Sequence, residues 1–231
     1  MEDADKIGSL ASADYTQYSF VLLTKGKKRP YYKDWQKYCK TYDEVKNHPQ
    51  FGIVLGGDPC VIDVDVDGAP QLLPVLGIDD PSIFAKRCSG SHPDNFGLIG
   101  ISPQPITGVT KIYLDKNGAP TTKGAEAEVY EKDGKLKPRC IEIRARGQSV
   151  LKGTHPSGSI YTFDWGKPFA VFPQKVVDVF LTKLKKDSEP VAIGSLDGFD
   201  DLDDWAKEAI TVERINAALG YLEKIPPEDD R

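Results

Sequence analysis

Asp63, Asp65 and Asp67 stand two residues apart in the run Val61-Ile62-Asp63-Val64-Asp65-Val66-Asp67-Gly68. Alternation puts Ile62, Val64 and Val66 on one face of a β-strand and the three carboxylates on the other. Aspartate disfavours strands, so three in one strand oppose local propensity. The apolar face can be buried, whereas the acidic face must look onto water or cations. Carboxylates this crowded repel one another unless a divalent ion neutralises them. The pattern predicts a metal-dependent site built on a sheet, with a solvated acidic strand edge as the plain alternative.

A second alternating run, Cys140-Ile141-Glu142-Ile143-Arg144-Ala145-Arg146, points Ile141 and Ile143 one way and Glu142, Arg144 and Arg146 the other. Glu142 gains meaning as a third carboxylate beside Asp63 and Asp65 on a neighbouring strand. Two ions about 4 Å apart need several shared oxygen ligands, and two aspartates with a glutamate supply them. Arg144 on the same face suits a triphosphate, and an ion pair with the acidic strand suits it equally well. The basic turn Lys27-Lys28-Arg29 reads, taken alone, as a solvated turn.

Two other metal readings fail on spacing. Asp63-x-Asp65-x-Asp67-Gly68 opens like an EF-hand loop, but its twelfth position is Pro74 where a bidentate glutamate is required. A β-polymerase-like nucleotidyltransferase pairs a Gly-Gly turn with Asp-x-Asp. The residues between Gly57 and Asp63 are too few for the helix which that fold places there.

The elements that must position these residues follow from periodicity and turn chemistry. Strands are predicted at 20–23, 51–55, 61–67, 96–101, 140–146 and 159–163, with strand-like pieces around 111–114 and 127–131. Thr41-Tyr42-Asp43-Glu44 fits a capping box, so a short helix starts there and ends before Pro49. The Gly56-Gly57-Asp58-Pro59 turn makes strand 61–67 the hairpin partner of strand 51–55. Residues 87–92 read as a polar loop, and 103–138 as an elaborated hairpin or insertion. Val176, Val177, Phe180, Leu181 and Leu184 mark a helix opened after Pro173. Residues 188–200 read as a linker. Ile215, Ala218, Leu219 and Leu222 mark a last helix, with Thr211 as its N-cap.

At 231 residues, 39% hydrophobic and 28% charged, the chain can bury one substantial core. No apolar run approaches membrane-spanning length and the first residues are acidic, which predicts a cytoplasmic protein with no membrane partner. Cys39, Cys60, Cys88 and Cys140 lack paired spacing, and the only histidines are His48, His92 and His155, so no zinc site is predicted. The net charge of −5 is a tail property. From Glu189 onward there are twelve acidic and four basic residues, against 23 acidic and 26 basic before it. A mildly basic body permits a polyanionic partner.

Four segments, in order over about residues 20 to 165, resemble the primase-polymerase catalytic domain of the archaeo-eukaryotic primase superfamily, in its phage and plasmid replication-protein form. They are Gly26-Lys27-Lys28-Arg29-Pro30 with Trp35; Phe51-Gly52-Ile53-Val54-Leu55-Gly56 running into Val61-Ile62-Asp63-Val64-Asp65; Ile141-Glu142-Ile143-Arg144 with Gly147; and Gly153-Thr154-His155-Pro156-Ser157-Gly158 followed by Tyr161. One departure stands out. The family's Ser-x-His motif opens a strand, whereas Ser89-Gly90-Ser91-His92 is followed by Pro93-Asp94-Asn95 before the strand begins. An arginine-led variant of that loop would favour Arg87 over His92.

The resemblance implies an α+β fold, an RRM-like catalytic sheet backed by helices, over residues 1–187. Residues 201–231 would begin a small helical C-terminal domain, with a helicase beyond. It implies a DNA-directed primase-polymerase that joins (d)NTPs to a 3′-hydroxyl on a DNA template and primer and releases pyrophosphate. Asp63, Asp65 and Glu142 would be catalytic and hold two Mg²⁺ or Mn²⁺ ions, with Asp67 as neighbour or spare ligand. Arg87, His92, Arg144 and His155 would bind the nucleotide. The rival reading is a catalytically silent single-strand or origin DNA-binding module of a replication protein, and a third is a metal-dependent nuclease.

Overall fold

Residues 13–89, 94–132 and 134–188 are described by the structure, a computed structural model. The chain runs through β1 (Phe20–Leu22), α1 (Tyr42–Val45), β2 (Phe51–Leu55), β3 (Val61–Asp67), β4 (Ala85–Cys88), β5 (Asn95–Ile101), β6 (Val109–Leu114) and β7 (Pro120–Thr121). It continues through β8 (Val129–Lys132), β9 (Lys135–Pro138), β10 (Cys140–Arg144), β11 (Gly147–Thr154), β12 (Ile160–Phe163) and α2 (Gln174–Ser188). Ten strands form one sheet in the order β1-β2-β11-β12-β4-β5-β3-β10-β6-β7, and β8 and β9 make a separate ribbon. Every ladder is antiparallel. The architecture is mixed α and β, dominated by the sheet. Among the described residues no helix is long and apolar enough to cross a membrane.

The alternation along β3 is realised as expected. Ile62, Val64 and Val66 are buried in a core shared with Ile141 and Ile143 of β10 and Leu98 of β5. Helix α2 covers that face through Val176, Val177 and Phe180, together with Leu72, Leu73 and Leu76 of the 3₁₀ turn Pro70–Leu76. Phe172 stacks on Phe84 at 4.3 Å and joins this core ahead of the helix. The capping box forms: Thr41 N–H donates to Glu44 Oε2 at 2.8 Å at the head of α1.

The opposite face carries a second core at one end only. Val61, Ala85 and Ile99 of the central strands pack there against Phe51, Ile53, Leu55, Leu151 and Phe163. Asp63 is the next β3 residue on that face, where the apolar cover stops.

Three expectations need correction. β2 and β3 do not form a hairpin; they share only the Gly56↔Val61 bridge and then part. β2 pairs with β1 and β11, whereas β3 pairs with β5 and β10. β2–β3 and β10–β11 are therefore corners, at which the chain leaves one part of the sheet for another. The loop expected at 87–92 begins as strand β4, which carries Arg87 across from Gly97. β10 ends at Arg144, so Arg146 lies beyond the ladder and is exposed. The readings of a linker and a last helix concern residues outside the described ones.

Candidate functional site

Register brings the predicted carboxylates together. On the β3–β10 ladder Glu142 lies directly opposite Asp65, and Arg144 directly opposite Asp63. On the other side of β3, Asp65 faces Gly97 of β5, which in turn faces Arg87 of β4. Four adjacent strands thus place Asp63, Asp65, Glu142, Arg87 and Arg144 on one face.

What neutralises the carboxylates is cationic side chains. Asp63 is wholly buried; its Oδ2 receives Arg144, Arg87 at 3.3 Å and the Ser149 hydroxyl at 2.6 Å. Asp65 receives Arg87 at 2.9 Å and stands 3.7 Å from Arg144. Glu142 pairs with Lys111 at 2.8 Å, its direct β6 neighbour. Burial pushes the Asp63 carboxyl up, but Arg144, Arg87 and the Ser149 hydrogen bond outweigh it and hold the group below its ordinary value. Arg144 shows the mirror effect. Burial disfavours its charge, yet Asp63 and Asp65 leave it more firmly protonated than usual.

Gly97 makes the arrangement possible. A Cβ there would stand 2.5 Å from Arg87 Nη2 and 2.6 Å from Asp63 Oδ1. The absent side chain is what lets the guanidinium lie against the sheet.

Asp67 belongs to a separate set of contacts. It binds Lys132 at 2.6 Å and the Tyr130 hydroxyl at 2.5 Å, and Tyr130 also reaches Asn95 at 2.9 Å. Strand β8 carries both partners, so Asp67 ties the two-stranded ribbon to the main sheet.

Strand β12, next to β4 in the sheet, contributes Tyr161, whose ring is 5.9 Å from the Arg87 guanidinium. Burial first, with Asp65 and Asp63 adding to it against Arg87, pushes the Tyr161 phenol up to about 12. His155 lies in the β11–β12 turn, where Nδ1 is 2.7 Å from Ser157 Oγ and the ring stands 5.6 Å edge-on to Tyr161. That ring contact links it to Tyr161, which borders the cluster. His92 lies outside the described residues. Lys28 approaches from the basic turn; partial burial first and Arg87 second hold its ammonium below the usual value.

Local pattern did not disclose Ser149, Lys111 or Lys28 as members. Lys111 had a weak signal, because it alternates with Ile112 in a strand-like run. Ser149 had none, since its place depends on the β10–β11 corner.

The donor set consists of carboxylate oxygens, which suit Mg²⁺ or Mn²⁺. The geometry differs: among the described residues no three Asp, Glu, His or Cys side chains converge to hold an ion. As arranged, with guanidinium groups on Asp63 and Asp65 and Lys111 on Glu142, the residues do not fit a two-ion cage. The cluster instead sums to three carboxylates against Arg87, Arg144, Lys111 and the nearby Lys28. Asp63 Oδ1, Arg87 Nε, Arg144 Nε and Tyr161 Oη are buried without a hydrogen-bond partner. Buried polar atoms rarely stay unsatisfied, and several around one cluster mark capacity for a polar ligand. No protein-family model matches the chain, and comparison with curated proteins finds no match. The reading of this site rests on its own geometry and on the motifs in the sequence.

Proposed function

We propose that the chain is a DNA-directed primase-polymerase domain that transfers nucleotidyl groups from (d)NTPs to a 3′-hydroxyl. The observation that carries this reading is the in-register interleaving of acid and guanidinium: Glu142 across from Asp65, and Arg144 across from Asp63, on one face of the sheet. Arg87 and Arg144 are the triphosphate ligands. Their planar forks match phosphate oxygens, and their Nε atoms have no protein acceptor. Tyr161 and Lys28 border the same anion position. Asp65 and Glu142, each partly open to solvent, are the carboxylates available to the reacting hydroxyl. Dependence on Mg²⁺ or Mn²⁺ belongs to the proposal. So do the RRM-like assignment of the sheet and a helicase partner.

The test is extension of a labelled primer on a DNA template with dNTPs and Mn²⁺ or Mg²⁺. The wild-type chain should add nucleotides, and Asp65→Asn with Glu142→Gln should abolish addition without loss of folding. Unchanged extension by that double variant refutes the assignment.

One observation favours a second reading, a silent single-strand or origin-binding module. All three carboxylates already have protein cations as partners. The same assay separates the two, because oligonucleotide binding with no extension under any divalent ion supports the module.

A further inference from the structure

Residues 25–40, KGKKRPYYKDWQKYCK, contain seven lysines and arginines against a single acid, Asp34. The segment leaves β1 and returns to it, pinned at two points. Leu23 bridges Pro30, and Phe20 bridges Lys40. The basic turn within it is also fixed from below. Buried Gln50 accepts from Gly26 N–H at 2.8 Å and donates to the Lys27 carbonyl at 2.6 Å. Gln148, the neighbour of Ser149, donates to the Lys28 carbonyl at 2.8 Å. Trp35 packs onto the core beneath, alongside Val21 and Leu23.

The other aromatic rings of the segment face outward. Tyr31, Tyr32 and Tyr38 are 68%, 45% and 51% exposed. They form a continuous strip: Tyr31 and Tyr32 are 5.2 Å apart by ring centroid, and Tyr32 and Tyr38 4.9 Å. Single exposed aromatics are ordinary, but a contiguous strip framed by cations on a pinned loop is not. Phosphates meet lysines and arginines, and unstacked bases meet ring faces. Duplex DNA hides its base faces, so it would use the charges and leave the rings idle.

We propose that residues 25–40 form a binding platform for single-stranded nucleic acid. Tyr31, Tyr32 and Tyr38 stack on bases, and Lys27, Arg29 and Lys33 hold phosphates. The inference deepens the primase-polymerase reading by naming the surface that holds the template strand beside the Asp63–Arg144 cluster. Lys28 joins the two, since it belongs to the platform and also borders the anion position.

The experiment is fluorescence anisotropy with a fluorescein-labelled oligothymidylate of about 20 nucleotides, longer than a typical single-strand site. Chelator is present and nucleotide absent, so the result does not depend on catalysis. The full chain should bind this probe at least tenfold more tightly than a duplex of equal length, with log affinity falling linearly with log salt. Tyr31→Ala with Tyr32→Ala should weaken binding at least tenfold, while Tyr32→Phe, which keeps the ring, stays within twofold. Asp65→Asn with Glu142→Gln should bind like wild type, so loss of extension and loss of template binding are read separately. Photocrosslinking of the wild-type chain to bromouridine-substituted single strands covers the case in which the double tyrosine variant misfolds. Crosslinks should map to residues 31–38. Equal affinity for duplex, indifference to loss of the two rings, or crosslinks confined to other segments would each overturn the proposal.

Discussion

Arg144 stands directly across the β3–β10 ladder from Asp63, and its guanidinium closes on the Asp63 Oδ2 oxygen inside the protein. Arg87 reaches the same oxygen from the other side of β3. A carboxylate this buried, with two cations committed to it, belongs to the stability of the domain whatever its part in the proposed chemistry.

Asp63→Asn should therefore destabilise the domain by about 3–5 kcal/mol, because it leaves buried guanidinium charge without its partner. Urea unfolding followed by circular dichroism measures this. A change within about 0.5 kcal/mol, the range of an ordinary surface substitution, would show that the buried pairs are energetically idle. The cleaner probe of chemistry is the Asp65 and Glu142 pair, whose side chains are 36% and 25% exposed.

Gly97→Ala tests the close approach on which the cluster depends. The added methyl group meets both Arg87 and Asp63, so one of them must shift. Loss of about 1–3 kcal/mol is expected, as for other overpacked sites. Weaker triphosphate binding should accompany it, and thermal melting with nucleotide titration reads both. A variant with wild-type melting and wild-type binding would mean that Arg87 has another resting place.

The pH profile follows from the shifted groups. Asp63 and Asp67 are held below the ordinary carboxylate value, so their contribution is complete above about pH 4. It is lost as pH falls below that point, because the unfolded chain takes up protons first. On the alkaline side, the Cys140 thiol, pushed up to about 11 by burial and then by Asp67, and the Tyr161 phenol, at about 12, act in the opposite sense. Their contribution is whole below about pH 9 and is lost as pH rises through those values. Urea midpoints across pH should form a plateau between the two losses. Asp63→Asn should flatten the acid limb, and an acid limb identical to wild type would assign it to other groups.

Asp67 should prove dispensable for transfer. Its hydrogen-bond partners are Tyr130 and Lys132 of the β8–β9 ribbon, not Arg87 or Arg144. Asp67→Asn should cost about 1 kcal/mol through its weakened contacts with Tyr130 and Lys132 and leave primer extension within about twofold. A drop in extension of about a hundredfold would move Asp67 into the reacting group.

Local periodicity carried the parts of the fold that depend on neighbours in sequence: the alternation of β3 and β10, the capping box of α1, and the apolar stripe of α2 at Val176, Val177 and Phe180, with Leu181 turned out to solvent instead. It also singled out Asp63, Asp65 and Glu142, because acid in a strand is conspicuous. Pairing was hidden. Nothing near Glu142 says that it faces Asp65, because register between segments some eighty residues apart is fixed by the whole sheet. β4 was missed because Ala85-Lys86-Arg87-Cys88 is too short and too charged to read as a strand, and Arg87 was noticed only through the family resemblance. The hairpin expected between β2 and β3 failed for a related reason. Their connection is short enough for one, but β11 and β10 offer each strand a longer partner. Crowded carboxylates pointed to a divalent ion, but nothing in the local pattern announced the guanidinium groups that β4 and β10 bring onto Asp63 and Asp65.

The two corners, β2 into β3 and β10 into β11, bear on how a ligand gets in. Gly56 and Val61 exchange hydrogen bonds at one corner, and the Ala145 N–H is tied to the Gly108 carbonyl at the other. The backbone is held at both turns, and β2, β11, β3 and β10 all belong to one hydrogen-bonded sheet, so displacing these strands relative to one another would have to break sheet ladders. If the cluster takes up an anion as proposed, a guanidinium would exchange carboxylate for that anion by rotating its own side chain, with no strand displaced.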